Sequence, residues 1–579
     1  MAVSRGARFV LVFVLFAVAV SMSVVVATYL VATRGPRVES RSVLWLRVPS
    51  DLVERVPNDI VGQLMAGRRD TVESVVDALR KAKVDDRVQA VVVVPPIRLG
   101  LWGKLQEIRD AMLDFKESGK PLVSYLEYGG GQQYYLATAA DKIFLTPSSP
   151  LDLVGVASYD VFLRDALDLL GVHPDMLHAG EFKTASNLYT ETTFTPEHRE
   201  MSQALNRDLY DQLVSGVADG RQMTEADVRG LIDEGPFLPE TAVARGLVDG
   251  LVYEDELLAE LGLDEEPTDR LNYSTYRQLD PSSLGLDNGP RLAVVYGVGA
   301  ITFGGSGFDG TGGAVMGSEA TARAIRSARD DDSIEAIVLR IDSPGGAAIA
   351  SDIIWREVRL ATEKKPVIAS MSDVAASGGY YVAAPADVVV AQPGTLTGSI
   401  GVVAGKLAYG RALEKLGVNI EGVNDGAMSA MNSPFAPYSA ETRERVQQQI
   451  DSIYETFLQR VAAGRDMTRD EVHAVGQGRV WTGRQAVDLG LVDELGGMRR
   501  AVELAKERAG IDSDRGVRLV AYPRPLSFFE LVNNEFGLRA SVAGWLASPT
   551  DRFAAIATRP MRLFRPGEPL ALMSPLTVH

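Results

Sequence analysis

The sequence predicts an α/β fold made of two tandem repeats with parallel sheets and crossover helices, preceded by one transmembrane helix. Three features lead to this prediction: an internal duplication, the alternation of strand-like and helix-like segments, and a long uncharged run near the N-terminus. At 579 residues the chain is too long for a single hydrophobic core, so more than one domain is expected.

The duplication is seen in matched segments that keep a nearly constant spacing. Residues 132–137 align with residues 378–383 at a spacing of 246, and residues 246–249 align with residues 490–493 at a spacing of 244. So small a drift indicates a tandem repeat. The alignment predicts an N-terminal anchor, a first repeat, a linker, a second repeat and a C-terminal tail, at residues 1–40, 41–257, 258–289, 290–511 and 512–579.

Strand-like and helix-like segments alternate in the same order in both repeats. In the first repeat we expect strands at 42–48, 88–94 and 120–125, and helices at 71–83 and 101–118. In the second repeat we expect strands at 292–296, 334–341 and 365–370, and helices at 319–328 and 348–362. Each repeat then continues into a long polar helix, at 196–218 and 440–463. This alternation is typical of parallel strands joined by right-handed crossovers.

The uncharged run covers residues 9–32 and has arginines on both sides. As a helix, its 24 residues would span about 36 Å, enough for a hydrocarbon core of about 30 Å. A cleaved signal peptide is the alternative, although its apolar region would usually be about 7–15 residues long. We expect a retained anchor that contacts membrane lipid through residues 9–32, with the rest of the chain on one side of the membrane.

Composition excludes several classes of site. The net charge is −17 and no long Lys/Arg run is present, so nucleic acid is not an expected partner. The chain has no cysteine, which excludes disulfides, thiolate catalysis and zinc–thiolate sites.

Two glycine-rich turns of the second repeat carry possible chemistry. Gly345 and Gly346 follow a predicted buried strand, where a glycine pair leaves backbone N–H groups open to an oxyanion. Ser377 follows the next strand, and Gly378 would present its N–H to the same oxyanion. The alternatives are a tight turn for the glycines and a helix N-cap for the serine.

A serine hydroxyl needs a base before it can act as a nucleophile. Of the histidines, His198 belongs to a polar helix that we expect to be solvated, and only His178 lies close in sequence to a candidate site. Lys183 is the other candidate base, provided that burial lowers its pKa; a surface charge is the alternative. Ser399, 22 residues after Ser377, could hold the amine, or could simply be a turn serine.

The two copies differ where this chemistry would lie. Ser377 aligns with Gly131 of the first copy, and Lys183 aligns with residues 427–429 of the second. Each copy lacks one of the two residues, which suggests one composite site built from both copies. The sequence leaves open whether Ser377 and Lys183 meet within one subunit or between two.

These segments together resemble the long, tandem-repeat form of bacterial signal peptide peptidase A. The resemblance covers nearly the whole chain and rests on four motifs: Ser-Pro-Gly-Gly at 343–346, Ala-Ser-Gly-Gly-Tyr-Tyr at 376–381, Thr-Gly-Ser-Ile-Gly-Val at 397–402 and Gly-x-x-Lys-x-Ala at 180–185. It implies a Clp-protease/crotonase-like fold and a Ser-Lys dyad.

Carried over to this sequence, the resemblance assigns the nucleophile to Ser377, the general base to Lys183 and the hydroxyl that orients the lysine to Ser399. The oxyanion hole would be formed by the N–H groups of Gly378 and of either Gly345 or Gly346.

The resemblance further implies a serine endopeptidase that degrades cleaved signal peptides and other extended apolar peptides without a metal or other cofactor. It implies a homotetramer in the bacterial inner membrane, with a single span and the catalytic part outside the cytoplasm. Two alternatives remain at this point: a crotonase-like acyl-CoA enzyme, and a membrane-tethered scaffold that binds peptides without catalysis.

Overall fold

The computed structural model describes residues 36–55, 70–97, 100–263, 268–308, 313–523, 568–573 and 577–578. The expected membrane span at 9–32 lies outside these residues, and so does most of the C-terminal tail, residues 524–567. Among the helices in the described ranges, none is both long enough and apolar enough to cross a bilayer.

The first half alternates strands and helices. Its strands are β1 (Ser42–Arg47), β2 (Val88–Val94), β3 (Leu122–Leu126), β4 (Gly129–Gly130), β5 (Lys142–Leu145), β6 (Leu151–Asp152), β7 (Ser158–Tyr159), β8 (His173–Ala179), β9 (Gly250–Leu251) and β10 (Asp269–Asn272). Its helices are α1 (Val72–Val84), α2 (Trp102–Lys116), α3 (Gly131–Ala137), α4 (Arg164–Leu170), α5 (Asn187–Thr190), α6 (Pro196–Arg221), α7 (Glu225–Glu234), α8 (Pro239–Ala244), α9 (Leu257–Glu260) and α10 (Tyr273–Tyr276).

The first sheet has the strand order β10-β1-β2-β3-β5-β9, and its neighbouring strands run parallel. The valine run of β2 is explained by burial on both faces: Val91 and Val93 join the main core, whereas Val92 and Val94 join a second cluster on the opposite face. Strand β10 comes from the segment 258–289, which the sequence analysis treats as a linker, and it extends this sheet by pairing with β1.

The second half repeats this plan. Its strands are β11 (Arg291–Val298), β12 (Ala300–Thr302), β13 (Gly307–Phe308), β14 (Ala314–Gly317), β15 (Ile334–Ser343), β16 (Gly345–Ala347), β17 (Val367–Ala376), β18 (Val388–Ala391), β19 (Leu396–Gly398), β20 (Val402–Ala408), β21 (Val480–Thr482), β22 (Glu494–Leu495), β23 (Arg518–Tyr522), β24 (Leu570–Leu572) and β25 (Thr577–Val578). Its helices are α11 (Ser318–Asp330), α12 (Ala348–Thr362), α13 (Gly378–Ala383), α14 (Gly410–Lys415), α15 (Ala440–Arg465), α16 (Arg469–Val475), α17 (Gly483–Asp488) and α18 (Met498–Arg508).

The second sheet has the order β21-β19-β17-β15-β11-β23, with β18 paired to β17 and β22. Its pairs are parallel except β19 with β21. The duplication is also visible in α6 and α15, which have 26 residues each and end at left-handed residues, Gln222 at φ 52° and Asp466 at φ 51°. The predicted α/β class with parallel sheets is therefore confirmed.

A third sheet joins the two halves. Its order is β13-β14-β12-β16-β24-β20-β8, so that β8 of the first half pairs with β20 of the second in antiparallel fashion from Ala179↔Val402 to His173↔Ala408. The C-terminal strand β24 lies between β16 and β20. This sheet brings the chain that follows β8 next to the turns at the ends of β15 and β17.

Candidate active site

Ser377 lies at a strained turn between β17 and α13. Its backbone angles are φ 54° and ψ −113°, a combination that is costly for a residue with a side chain. The turn is held because the Ser377 N–H donates to the Gly398 carbonyl at 2.8 Å. The side chain is fully buried. Backbone strain of this kind concentrates at functional sites, so the geometry supports a chemical role for this residue.

Lys183 approaches Ser377 from the first half of the chain. It follows β8 and a turn at Gly180, and its side chain is only 1% exposed. Its Nζ atom lies 2.7 Å from Ser377 Oγ, within hydrogen-bonding distance. The two side chains belong to one chain, so the pair is formed within a single subunit.

Ser399 completes the contacts of the Lys183 amine. Lys183 Nζ lies 2.9 Å from the Ser399 carbonyl oxygen and 3.1 Å from Ser399 Oγ. Ser399 also has a positive φ, 53°, and its N–H donates to the Arg479 carbonyl at 2.7 Å. The structure therefore brings together Ser377, Lys183 and Ser399, the three side chains predicted from the sequence.

The environment of Lys183 favours the neutral amine. Burial lowers the pKa of Lys183 well below its ordinary range, because an ammonium loses its hydration there. The hydrogen-bonding partners of Nζ among the described residues are two hydroxyls and a carbonyl, none of which carries a charge. A neutral amine beside a hydroxyl is able to accept its proton.

The glycine turn after β15 lies directly beside Gly378. A Cβ atom on Gly345, where φ is 96°, would lie only 2.7 Å from the Gly378 nitrogen, so this approach requires glycine. The Gly345 N–H is already used, because it donates to Ser343 Oγ at 3.2 Å. Gly346 pairs with Ile301 of β12 on one side and faces β24 on the other. Gly346 and Gly378 are thus the better candidates for donors to an oxyanion.

A loop at residues 477–479, between α16 and β21, is part of the site but is not predicted from the sequence. The Phe182 N–H donates to the Gln477 carbonyl at 2.8 Å, and the Gly478 N–H donates to the Ile400 carbonyl at 2.7 Å. A Cβ atom on Gly478 would lie 2.5 Å from Lys183 Cα. The loop therefore fixes the backbone of Lys183, and the only sequence feature that marks it is the glycine itself.

The histidines of the described ranges take no comparable position. His178 Nδ1 lies 3.0 Å from the Gly180 carbonyl oxygen, and His473 Nδ1 lies 3.0 Å from the Tyr454 hydroxyl. The expectation of a solvated His198 is wrong: one face of α6 packs inward and buries its ring, with Nε2 3.5 Å from Asp160 Oδ1. Within the described ranges, the base that lies within reach of Ser377 is Lys183, and no cluster of three acidic or histidine side chains is placed to hold a metal.

Comparisons with known proteins agree with this geometry. The model described as "Peptidase family S49" matches residues 114–266 and 359–512, one match in each repeat. The chloroplastic serine protease SPPA of Arabidopsis thaliana is 36% identical over 477 residues, which cover 80% of this chain and 69% of that protein.

Two bacterial relatives give a similar picture. Protease 4 of Salmonella typhi is 32% identical over 451 residues, covering 75% of this chain and 71% of that protein. Protease 4 of Haemophilus influenzae is 31% identical over 469 residues, covering 78% and 75%.

Among solved structures, a ClpP1 mutant from Listeria monocytogenes is similar over 36% of this chain and 94% of its own, with 15% identity and a TM-score of 0.23. The tandem repeats are confirmed by the two family matches. The Clp/crotonase-like form of each repeat stays a prediction.

Proposed function

We propose that this chain, which belongs to peptidase family S49 and is a serine endopeptidase, cleaves peptides with Ser377 as nucleophile and Lys183 as general base. The observation that carries the proposal is the 2.7 Å distance between Lys183 Nζ and Ser377 Oγ. The resemblance to the long, tandem-repeat form of signal peptide peptidase A is confirmed, and family membership leaves no support for the acyl-CoA enzyme or the non-catalytic scaffold.

The reaction proceeds in two steps through an acyl-enzyme. Lys183 accepts the proton of the Ser377 hydroxyl while Oγ forms a bond to the substrate carbonyl carbon. The ammonium then returns the proton to the leaving amine as the peptide bond breaks. In the second step Lys183 takes a proton from water, the hydroxide oxygen adds to the ester carbon, and Ser377 recovers its proton as the acid product leaves.

Ser399 keeps the lysine amine in place through both steps. Its carbonyl and hydroxyl oxygens accept from Nζ at 2.9 and 3.1 Å. Two uncharged acceptors orient the amine without stabilising a permanent ammonium, as a carboxylate would. Ser399 thus fits the role of orienting hydroxyl that the family resemblance assigns to it.

The negative charge on the carbonyl oxygen of the tetrahedral intermediate is stabilised by backbone N–H groups. We assign these donors to Gly378 and Gly346, because the Gly345 N–H already donates to Ser343 Oγ. Gly345 then acts through its missing side chain, which allows its backbone to approach Gly378.

The substrates we propose are extended, apolar peptides, including signal peptides after their release. An extended peptide is held by main-chain pairing to a strand edge, and the side chains beside the site are apolar: Leu167, Met176, Tyr189 and Val403 form one buried cluster. We further propose a homotetramer anchored in the inner membrane by residues 9–32, with the catalytic part outside the cytoplasm; the uncharged run at these residues supports the membrane anchor.

A fluorophosphonate that reacts with activated serines tests the dyad. Mass spectrometry should find the adduct on Ser377 in the wild type, and labelling of Lys183→Met should be at least about a hundredfold slower, because the hydroxyl then lacks its base. The matched control is Lys364→Met, which removes an exposed lysine and should label like the wild type. Equal labelling of Lys183→Met and the wild type would refute the role of Lys183.

A further inference from the structure

The C-terminal strand β24 occupies the strand edge that a substrate would need. It is inserted between β16, which carries Gly345 and Gly346, and β20, where Val403 pairs with Leu570. Both pairings are antiparallel. A peptide held by main-chain hydrogen bonds on both sides is in the extended form that strand addition requires.

The register of β24 on β16 can be read from two hydrogen bonds. The Ala348 N–H donates to the Pro569 carbonyl at 3.2 Å, and the Met573 N–H donates to the Pro344 carbonyl at 2.9 Å. Because hydrogen-bonded pairs recur every second residue in an antiparallel ladder, Gly346 and Ala571 form the hydrogen-bonded pair between them. The Gly346 N–H therefore points at the Ala571 carbonyl oxygen.

The same carbonyl oxygen lies beside the other candidate donor. A Cβ atom on Gly378 would lie 3.2 Å from the Ala571 oxygen, and a Cβ atom on Gly345 would lie 2.0 Å from it. The Ala571 carbonyl oxygen thus lies beside the glycines to which the oxyanion is assigned.

The side chains of this strand fill the apolar surroundings of the site. Leu570 and Leu572, 4% and 6% exposed, join the cluster of Leu167, Met176, Tyr189 and Val403. Met573 lies in a cleft whose other lining residues are Asp160, His198, Met201, Ser202, Leu205 and Val480. Farther along, β25 pairs with β7 of the first half in antiparallel fashion.

We propose that residues 568–573 act as an intramolecular competitive inhibitor: they bind the peptide groove in the register of a substrate, with Ala571 at the position of the residue whose carbonyl is attacked. A substrate must displace this strand before it reaches Ser377. The inference rests on the proposed function, since it takes Ser377 and its glycines as the catalytic centre.

The test is the double variant Leu570→Asp, Leu572→Asp in the full chain, assayed with a fluorogenic apolar peptide. Two carboxylates cannot enter the apolar cluster without a large desolvation cost, so the strand should leave the groove. Because a tethered competitor acts at an effective concentration near millimolar, KM should fall at least about tenfold, with kcat unchanged. The control is Leu416→Asp with Val423→Asp, at positions 78% and 98% exposed, and should keep the KM of the wild type.

A second variant and a synthetic peptide test the inhibition by residues 568–573 independently. Ala571→Pro removes the N–H that faces the Gly346 carbonyl and places a ring there instead, so it should weaken the pairing of β24 and lower KM as well. A synthetic peptide with the sequence of residues 568–573 should inhibit the Leu570→Asp, Leu572→Asp protein competitively. An unchanged KM in both folded variants, with no inhibition by the peptide, would overturn the inference while leaving hydrolysis intact. If no protein hydrolysed peptide or formed an adduct at Ser377, the proposed function itself would be wrong, and the inference with it.

Discussion

At the scale of single residues, the notable feature is a lysine amine buried without a counter-charge. Lys183 Nζ is surrounded by the oxygens of Ser377 and Ser399, and burial lowers its pKa well below the ordinary range. An unfolded chain would instead carry this lysine as an ammonium at neutral pH, because its ordinary pKa is about 10.4. Folding must therefore remove a proton from this residue, and stability depends on pH accordingly.

Lys183→Met should be more stable than the wild type at neutral pH while being inactive. As the pH falls from about 10.4 toward the lowered pKa of Lys183, the unfolded wild type binds a proton that the folded protein does not, so the wild type loses about 1.4 kcal/mol of stability per pH unit relative to the variant. Below the lowered pKa the difference stays constant. Urea unfolding of both proteins at several pH values measures it, and a difference that did not change between pH 10 and pH 7 would contradict a neutral Lys183.

The activity of the wild type should follow the same titration. Only the neutral amine accepts the Ser377 proton, so kcat/KM should fall about tenfold per pH unit below the lowered pKa of Lys183. A pH–rate profile from pH 5 to pH 10 checks this expectation. A flat profile down to pH 5 would exclude a lysine base.

At the scale of elements, the loop at residues 477–479 shows how the second half positions a residue of the first. Gly478 has a φ of 82°, and its Cα hydrogen faces the backbone of Lys183. Arg479 lies over the rings of Phe182 and Trp481, at 4.7 and 4.4 Å from their centroids. The lysine is thus fixed by backbone contacts, and its own side chain need not be held by a charged partner.

Gly478→Ala should displace Lys183 and reduce kcat by about a hundredfold, the usual result of a misplacement near 1 Å. The added methyl group would lie 2.5 Å from Lys183 Cα, too close for any real contact. Gly490→Ala is the matched control, because φ is 71° there but nothing lies within 4 Å of the added Cβ. Steady-state kinetics of both variants, with their thermal stability, separates displacement of Lys183 from backbone strain. Equal kcat values would show that the loop does not position the lysine.

The elements differ in how far the sequence predicts them. Strands β2 and β15 are recognisable because β-branched runs buried on both faces have a local signature, and helix α12 is predicted with the bounds 348–362 that the structure shows. The third sheet has no such signature. Strand β16 is Gly-Gly-Ala and β24 is Leu-Ala-Leu, so their pairing depends on contacts between segments more than two hundred residues apart.

At the scale of the whole molecule, a buried ionic cluster joins the two halves. Arg340 of β15 is 2% exposed; its Nε donates to Glu54 at 2.7 Å and its Nη2 donates to Glu107 at 2.5 Å, and both acids belong to the first half. Burial alone would lower the pKa of Arg340, but Glu107 and Glu54 raise it well above its ordinary value, so the guanidinium stays charged. The cluster fixes the two halves against each other close to β17, which ends at Ala376, directly before Ser377.

Arg340→Met should destabilise the protein by about 3–5 kcal/mol, because it removes the counter-charge of buried Glu107 and leaves buried Glu54 with only Lys104, whose Nζ lies 4.0 Å away. Combining it with Glu54→Gln and Glu107→Gln removes both charges and should recover part of the loss. The control is Arg323→Met on the exposed face of α11, which should change stability by less than about 0.5 kcal/mol. Urea unfolding measures all three, and a loss below about 1 kcal/mol in Arg340→Met would show that the cluster does not hold the halves together.

The composite nature of the site is what the sequence predicts best at this scale. The copies differ at Ser377 against Gly131 and at Lys183 against residues 427–429, and that complementary loss points to one shared site. The contacts that create the site are not predictable in the same way. The Arg340 cluster and the pairing of β8 with β20 consist of residues that look ordinary in their own segments, and only the folded arrangement makes them neighbours.

Because β8 and β20 pair within one chain, the fraction of competent enzyme does not depend on protein concentration. Had the amine and the hydroxyl been carried by separate polypeptides, the fraction of competent enzyme would fall as the protein is diluted. The covalent link makes their encounter unimolecular, with an effective local concentration that no buffer volume changes. A lone molecule therefore keeps its Ser377–Lys183 contact, whatever larger assembly it joins.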